Sequence, residues 1–343
     1  MSAPLQINDP RIFSLVIPTF NGTAFLRRAL EYIQRSAIAG QIVLSDNSEG
    51  KHREFVAACA DTYEDLWIET HQFPQDIRFL DKMVATLERV ESRFVMLHAH
   101  DDFMVPVAVD RCVQFLLAHP DYVVARGRVA MFMLPRKPAP GQAELTMSLV
   151  PHAMRGYEQP DPVERMLAHI ENFAATFYSV HERKCLFDSF RLTEASTKYV
   201  IFFQYLSSCL CALQGKIHCS DELFYVRQAH HDSWSGSLKR GSYEHWPMLI
   251  TSPDFSRYYR EFRATLCEQG ARRTGQPAAQ LGPRIDAAAI GLFRRGFGGL
   301  EGDNPAEDLF QQRLRDTTTL ESQVLWSVVH FCVKHLNAHP AED

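Results

Sequence analysis

A chain of 343 residues is too long for one small core and calls for one large domain or two. Its apolar and charged fractions, 46% and 22%, are those of an ordinary soluble globular protein. The net charge of -5 leaves no basic footprint, which argues against nucleic acid as a partner.

The eight cysteines stand apart at 59, 112, 185, 209, 211, 219, 267 and 332. None form C-x-x-C, and the spacing in Cys209-Leu210-Cys211 suits neither a zinc ribbon nor a redox motif. Dispersed thiols in a long chain read as small buried hydrophobes in a reducing, cytoplasmic compartment. The opening MSAPLQINDPRIF has no basic stretch followed by an apolar one, so no signal peptide is expected. The longest apolar run, Tyr199 to Leu213, contains Gln204 and two serines; it reads as a buried helix rather than a membrane span.

In chain order, FSLVIP (Phe13 to Pro18) is an apolar strand, and Asn21-Gly22 marks the turn after it. Phe25, Leu26, Ala29, Leu30 and Ile33 have helical spacing. QIVLS (Gln41 to Ser45) is the next strand and runs into Asp46-Asn47-Ser48. A helix is expected around Arg53 to Ala60, then a strand DLWIET, then a helix carrying Phe79, Leu80, Met83, Val84, Leu87 and Val90. RFVMLHA is the fourth strand, and Val107 to His119 is helical. Tyr122 to Phe132 is extended again, and Pro135 to Gln142 is a proline-rich loop. Pro162 to Tyr178 has a helical pattern, Gly215 ends the buried helix, and Arg227 to Ser237 reads as a polar loop. From about Tyr243 the chain is helical, with Gln323 to Leu336 the clearest amphipathic segment.

Alternating strands and helices, with apolar strands, imply a mostly parallel sheet covered on both faces. In such sheets ligands bind beyond the carboxyl ends of the strands. Those ends carry Thr19-Phe20-Asn21, Asp46-Asn47 and His98 to Asp102. Three polar clusters thus fall at one edge of the sheet. There is no G-x-G-x-x-G after the first strand, and Gly215-Lys216 runs into Ile217, so neither a dinucleotide fold nor a P-loop has support.

Adjacent Asp101 and Asp102 repel unless a cation lies beside them. Their oxygens favour Mg2+ or Mn2+, which would offset charge on a leaving diphosphate. The bland reading makes Asp102 the N-cap of the following helix. His98 and His100, two apart on a strand, share a face and with Asp102 would suit a zinc hydrolase. His100 is kept as a ligand or neighbour of the metal, and His98 reads as a backbone-bonded strand-end histidine. His230 and His231 would bind phosphate, complete a metal site, or lie exposed. Asp46 and Asn47 would read a nucleobase edge or form an Asx turn, and Phe20 would stack on the base or join the core.

Together these residues resemble the family 2 glycosyltransferases of the GT-A fold. SLVIPTFNGTAFLRRALEYI is similar to the family's opening strand, loop and helix. IVLSDNS is similar to its second strand, and FVMLHAHDDF to the strand that ends in the metal motif. The resemblance covers roughly the first 130 residues and extends weakly to about 237. It implies that Thr19, Phe20, Asn21, Asp46 and Asn47 hold the nucleoside, with Arg78 or Lys82 near the diphosphate. His100-Asp101-Asp102 would be the metal motif, with Asp102 the direct ligand, Asp101 supporting it or touching ribose, and His100 in place of the first aspartate. His230 or His231 would touch the diphosphate or metal. An inverting transfer needs a carboxylate base. Gln204 stands where relatives carry an acid, which leaves Glu182, Asp188 and Glu194.

The resemblance implies an α/β GT-A nucleotide-diphospho-sugar transferase domain over residues 1–237, with a nucleotide half at 1–130, an acceptor half at 131–237, and a helical region at 238–343. It implies a divalent metal, Mn2+ or Mg2+, a nucleotide-diphosphate sugar donor, and a saccharide or glycoconjugate acceptor in polysaccharide synthesis. A non-catalytic nucleotide- or partner-binding protein stands as the alternative, with the zinc hydrolase behind it. The C-terminal amphipathic segment would serve as core, as a homodimer surface or as a peripheral membrane contact.

Overall fold

The structure, a computed structural model, describes residues 6–36, 38, 40–133, 146–149, 155–197, 200–229, 254–298, 309 and 312–338. The proline-rich loop, His230 and His231 lie outside the described residues. Strands β1 (Phe13–Thr19), β2 (Gln41–Asp46), β3 (Trp67–Gln72) and β4 (Phe94–Leu97) lie in the order β3-β2-β1-β4, all parallel. Helices α1 (Thr23–Arg35), α2 (Gly50–Thr62) and α3 (Phe79–Arg89) make the crossovers.

The continuous apolar text of β1 follows from its place at the centre. Phe13, Leu15 and Ile17 pack with Leu26, Leu30, Val56 and Val109 on one face. Val16 packs with Met83, Leu87 and Phe190 on the other. Each such side chain contributes about 1.5–3 kcal/mol when taken out of water. A polar residue at any of these strand positions would therefore weaken one of two cores.

The second half of the sheet is not parallel throughout. After the short β5 (Phe103–Met104) and α4 (Pro106–Ala118) comes β6 (Tyr122–Met133), which β7 (Thr146–Leu149) flanks antiparallel. β8 (Val180–Glu182) is antiparallel to both β4 and β6. β9 (Lys216–Ala229) runs parallel to β6, and β5 pairs antiparallel with it. Among the described residues the strands form one mixed nine-stranded sheet. The β6–β9 ladder shifts register between Arg126 and Arg128. Gly127 sits at that shift because a Cβ there would lie 2.5 Å from the Glu222 carbonyl oxygen.

Two expected boundaries move. The helix expected over 162–178 is α5 (Pro162–Glu171), started by Asp161, whose Oδ1 accepts from the Val163 and Glu164 amides at 2.8 and 2.9 Å. It stops at Asn172, and the next seven residues turn the chain into β8. Arg227, expected in a loop, lies in β9.

Helices α6 (Arg183–Ser196) and α7 (Val200–Gln214) cover one face. Beyond them α8 (Phe255–Thr274) and α9 (Ala278–Gly298) join α5 and α7 in a helical core of Phe202, Leu206, Phe262, Leu266, Leu281 and Ile285. The last helix, α10 (Leu320–Ala338), instead packs on the sheet: Leu325, Val328, Val329 and Cys332 meet Phe103, Phe132, Leu223 and Val226. The amphipathic stripe is thus covered by the chain's own core. Among the described residues no helix is long and apolar enough to cross a membrane.

Candidate functional site

The carboxyl ends of β1, β2 and β4 meet at one edge, as their parallel register requires. Thr19 and Asp46 are register partners, and the Thr19 hydroxyl donates to Asp46 Oδ1 at 2.7 Å. The Ser48 amide donates to the same oxygen at 3.1 Å. Asp46 is fully buried, and its second oxygen, Oδ2, has no hydrogen-bond partner among the described residues. A buried carboxylate oxygen left bare costs several kcal/mol unless something supplies a donor.

Lys82 braces this end from α3. Its ammonium donates to the Thr19 carbonyl at 3.1 Å and to Asn47 Oδ1 at 2.7 Å. Burial lowers its pKa to about 8, against the pull of Asp46. Asn47 in turn donates to the Gln75 carbonyl at 2.9 Å. The Asn21 amide donates to Ser48 Oγ, and Asn21 Oδ1 accepts from the Glu49 amide. Asn21 has φ 49°, a left-handed conformation that asparagine tolerates better than most residues. These links fix two loops into one surface, beside which Phe20 stands half exposed.

The second cluster follows β4. The strand stops at Leu97, so His98 and His100 are not on it and do not share a face. His98 is fully buried, with its ring edge-on to Tyr225 at 5.5 Å and neither ring nitrogen partnered. Burial lowers its pKa to about 3. His100 is half-buried, packs edge-on to Phe25, and lies where a Cβ on Gly22 would come within 2.4 Å of its Nε2. The zinc arrangement of His98, His100 and Asp102 is therefore not formed. Among the described residues no three His, Cys, Asp or Glu side chains group as a metal site.

Asp102 is not the helix N-cap. Val105 holds that position and Pro106 opens α4. Asp102 is buried instead; its Oδ1 accepts from the Gln228 amide at 3.0 Å, and its Oδ2 lies 3.6 Å from Arg227 Nε. Burial, and then the neighbouring Asp101 charge, raise its pKa, while Arg227 opposes the shift. Tyr225 accepts from the Ala99 amide through its hydroxyl. Under this turn Arg28 donates to the Asp101 carbonyl at 2.8 Å.

The three carboxylates proposed as bases are dispersed. Glu182 pairs in register with Phe94, the first residue of β4, at the edge opposite the clusters. Asp188 faces Lys184 on α6 at 2.5 Å. Glu194, near the end of α6, reaches the cluster edge, where its Oε1 accepts from Arg78 at 2.7 Å. Arg78 also holds Asp81, so its guanidinium is already bound by two carboxylates. Gln204 is half-buried on the first turns of α7. Sequence reasoning passed over Arg28, Tyr225 and Arg227. Only the last had a signal, an arginine at the end of an apolar run.

No protein-family model matches the chain, and no curated protein matches it. Among solved structures it is similar to S. aureus TarS, at 12% identity over 96% of this chain and 49% of that chain, with a TM-score of 0.49. The chain thus spans about half of that protein. It is also similar to S. aureus TarS 1-349 in complex with UDP-GlcNAc, at 15% identity over 96% and 82% of the two chains, TM-score 0.49. A third is the mannosyltransferase PcManGT from Pyrobaculum calidifontis in complex with GDP-Man and Mn2+, at 13% identity over 99% and 90%, TM-score 0.45. Likenesses this distant carry no chemistry across to this chain.

Proposed function

We propose that the chain is a GT-A-type glycosyltransferase of the family 2 kind, moving a sugar from a nucleotide-diphosphate donor to a saccharide or glycoconjugate hydroxyl. The observation that carries this reading is the bare, buried Oδ2 of Asp46 at the carboxyl edge of a parallel β3-β2-β1-β4 sheet. It lacks a donor, and the N–H groups of a nucleobase edge are of the kind that would supply one. Phe20, half exposed beside it, offers a stacking face. Thr19, Asn21, Asn47 and Lys82 would line the same end, where hydrogen bonds within the chain tie them together.

Asp101 and Asp102 are two adjacent hard oxygen donors that a divalent cation would draw on. Burial favours the neutral form of Asp102, with Arg227 at 3.6 Å pulling the other way, and a bound cation would hold the carboxylate ionised. They would hold the ion with His100 beside them, and it would offset charge on the departing diphosphate; Mn2+ and Mg2+ both suit such donors. Of the three candidate bases only Glu194 reaches this edge, and Arg78 orients it. In an inverting transfer Glu194 takes the acceptor hydroxyl's proton as the new C1–O bond forms. The C1–O bond to the diphosphate breaks, and its electron pair leaves with the phosphate.

Melting of the full chain with UDP, GDP, CDP or dTDP, each with Mn2+, Mg2+ or EDTA, tests the reading. One diphosphate should raise the melting temperature only with metal, and Asp46→Ala should weaken that effect about tenfold in ligand concentration. Stabilisation by none of the four would sink it.

A further inference from the structure

We infer that the last helix belongs to the donor site: Cys332 positions Arg28 and Gln228, and these two set the Asp101–Asp102 turn. The inference rests on the reading of that turn as the metal and diphosphate end of the site.

Arg28 is 1% exposed, yet among the described residues no carboxylate hydrogen-bonds its guanidinium. Nη2 donates to the Asp101 carbonyl, and Nη1 donates to Cys332 Sγ at 3.0 Å. The cation lies over the rings of Phe25 at 5.2 Å and Phe103 at 5.0 Å. A buried cation is expensive to keep, and an apolar side chain would fill this place more simply. What arginine adds is a fixed grip on the Asp101 backbone and a positive charge beneath two carboxylates. Asp101 and Asp102 both help to hold that charge.

Gln228 makes the second arm. Its amide donates to Asp102 Oδ1, and its side-chain Oε1 accepts from the Cys332 thiol at 3.3 Å. One sulfur therefore accepts from Arg28 and donates to Gln228, which uses both of its hydrogen-bonding roles. The helix carrying it is held on α1 at a second point, where His335 Nδ1 lies 3.3 Å from Glu31. The four groups come from α1, the turn after β4, β9 and α10, so no local segment can replace this joint.

Cys332 and Arg28 touch no ligand; they are positioning residues. Their effect should appear at the metal end of the site and not at Asp46. The test is calorimetric titration of the full chain with Mn2+–UDP and Mn2+–GDP, and with uridine and guanosine without metal. Cys332→Ala should weaken the metal–diphosphate complex about tenfold, as loss of an outer partner does at metal sites. The nucleoside alone should bind as before, and Cys332→Ser, which keeps a donor and an acceptor, should recover most of the loss. Should Cys332→Ala fail to fold, Arg28→Lys serves: it keeps the charge but loses the planar two-pronged grip, and the same split is expected. Unchanged metal–diphosphate affinity in these variants overturns the inference. So does a parallel loss of nucleoside and diphosphate, which packing damage alone would give. A wild-type chain that binds none of UDP, GDP, CDP and dTDP with Mn2+ overturns the functional reading and this inference with it.

Discussion

Lys82 carries its ammonium into a bracket between Thr19 and Asn47 that is 3% exposed. Its pKa falls to about 8 from an ordinary 10.5, because the charge has lost water and Asp46 restores only part of that loss. The unfolded chain therefore binds a proton more readily than the folded one between these values. Stability from this group is present above the unfolded value and is lost as pH falls through about 8. Relative to Lys82→Met, the wild type should gain stability from pH 8 to 10.5, by about 3 kcal/mol at most. Denaturant titrations of both proteins across that range would show it, and parallel curves would refute it. Residue by residue, the cluster of Thr19, Asp46 and Asn47 was open to sequence reasoning, since these are polar groups at the ends of apolar strands. Arg28 was not. An arginine on an amphipathic helix normally lies on its wet face, and this one is covered by the turn after β4, by Phe103 and by the return of α10 from 304 positions away.

At the scale of elements, the loop between β1 and α1 is shaped to receive the turn after β4. Gly22 precedes α1, and the His100 ring fills the space that a Cβ would take. Gly22→Ala should push His100 aside at little expense, since the far end of a side chain can move where backbone cannot. The expected result is a melting temperature within about 3 °C of wild type with weakened Mn2+–diphosphate binding. Equal binding would place His100 outside the ligand's reach.

β1, β2 and β4 were legible because each is buried on both faces and reads as an apolar run, whereas β3, at the edge of the sheet, leaves Trp67, Glu69 and Gln72 exposed. β8 was not, because three residues carry no period. β9 was hidden by His218, Ser220, Asp221 and Glu222, a polar stretch in the middle of fourteen residues. Its pairing with β6 comes from far along the chain, which no local pattern records. The consequence reached the site: Arg227 and Gln228 were assigned to a loop, although the strand is what brings them to Asp102.

At the scale of the whole molecule, two histidines among the described residues are sealed in with no hydrogen-bond partner on either ring nitrogen. His98 lies under the candidate site, and His169 packs edge-on against Tyr157 and Phe173 in α5. Burial lowers both to about 3 from 6.5. The unfolded chain takes up these protons first. The stability they allow is present above about 6.5 and is lost as pH falls through about 3, with a ceiling of about 5 kcal/mol for each. The wild type should therefore weaken steadily from pH 6.5 downward. His169→Phe, which cannot take a proton, should show a shallower decline in urea unfolding between pH 6.5 and 4. An equal slope would mean that water already reaches the ring.

The joint at Cys332 also sets an order of events during synthesis. Thr19, Asp46 and Lys82 leave the ribosome early and can pair as soon as the parallel strands form. Gln228 follows, but its side chain waits for a sulfur roughly 100 residues later, which at 5–20 residues per second is roughly 5–20 s of translation. Through that interval a nascent chain has its Thr19–Asp46 edge paired and its Asp101–Asp102 turn unbraced. Under the function proposed above, it would hold a base before it could hold what the base carries, and would stay idle until its last helix had arrived.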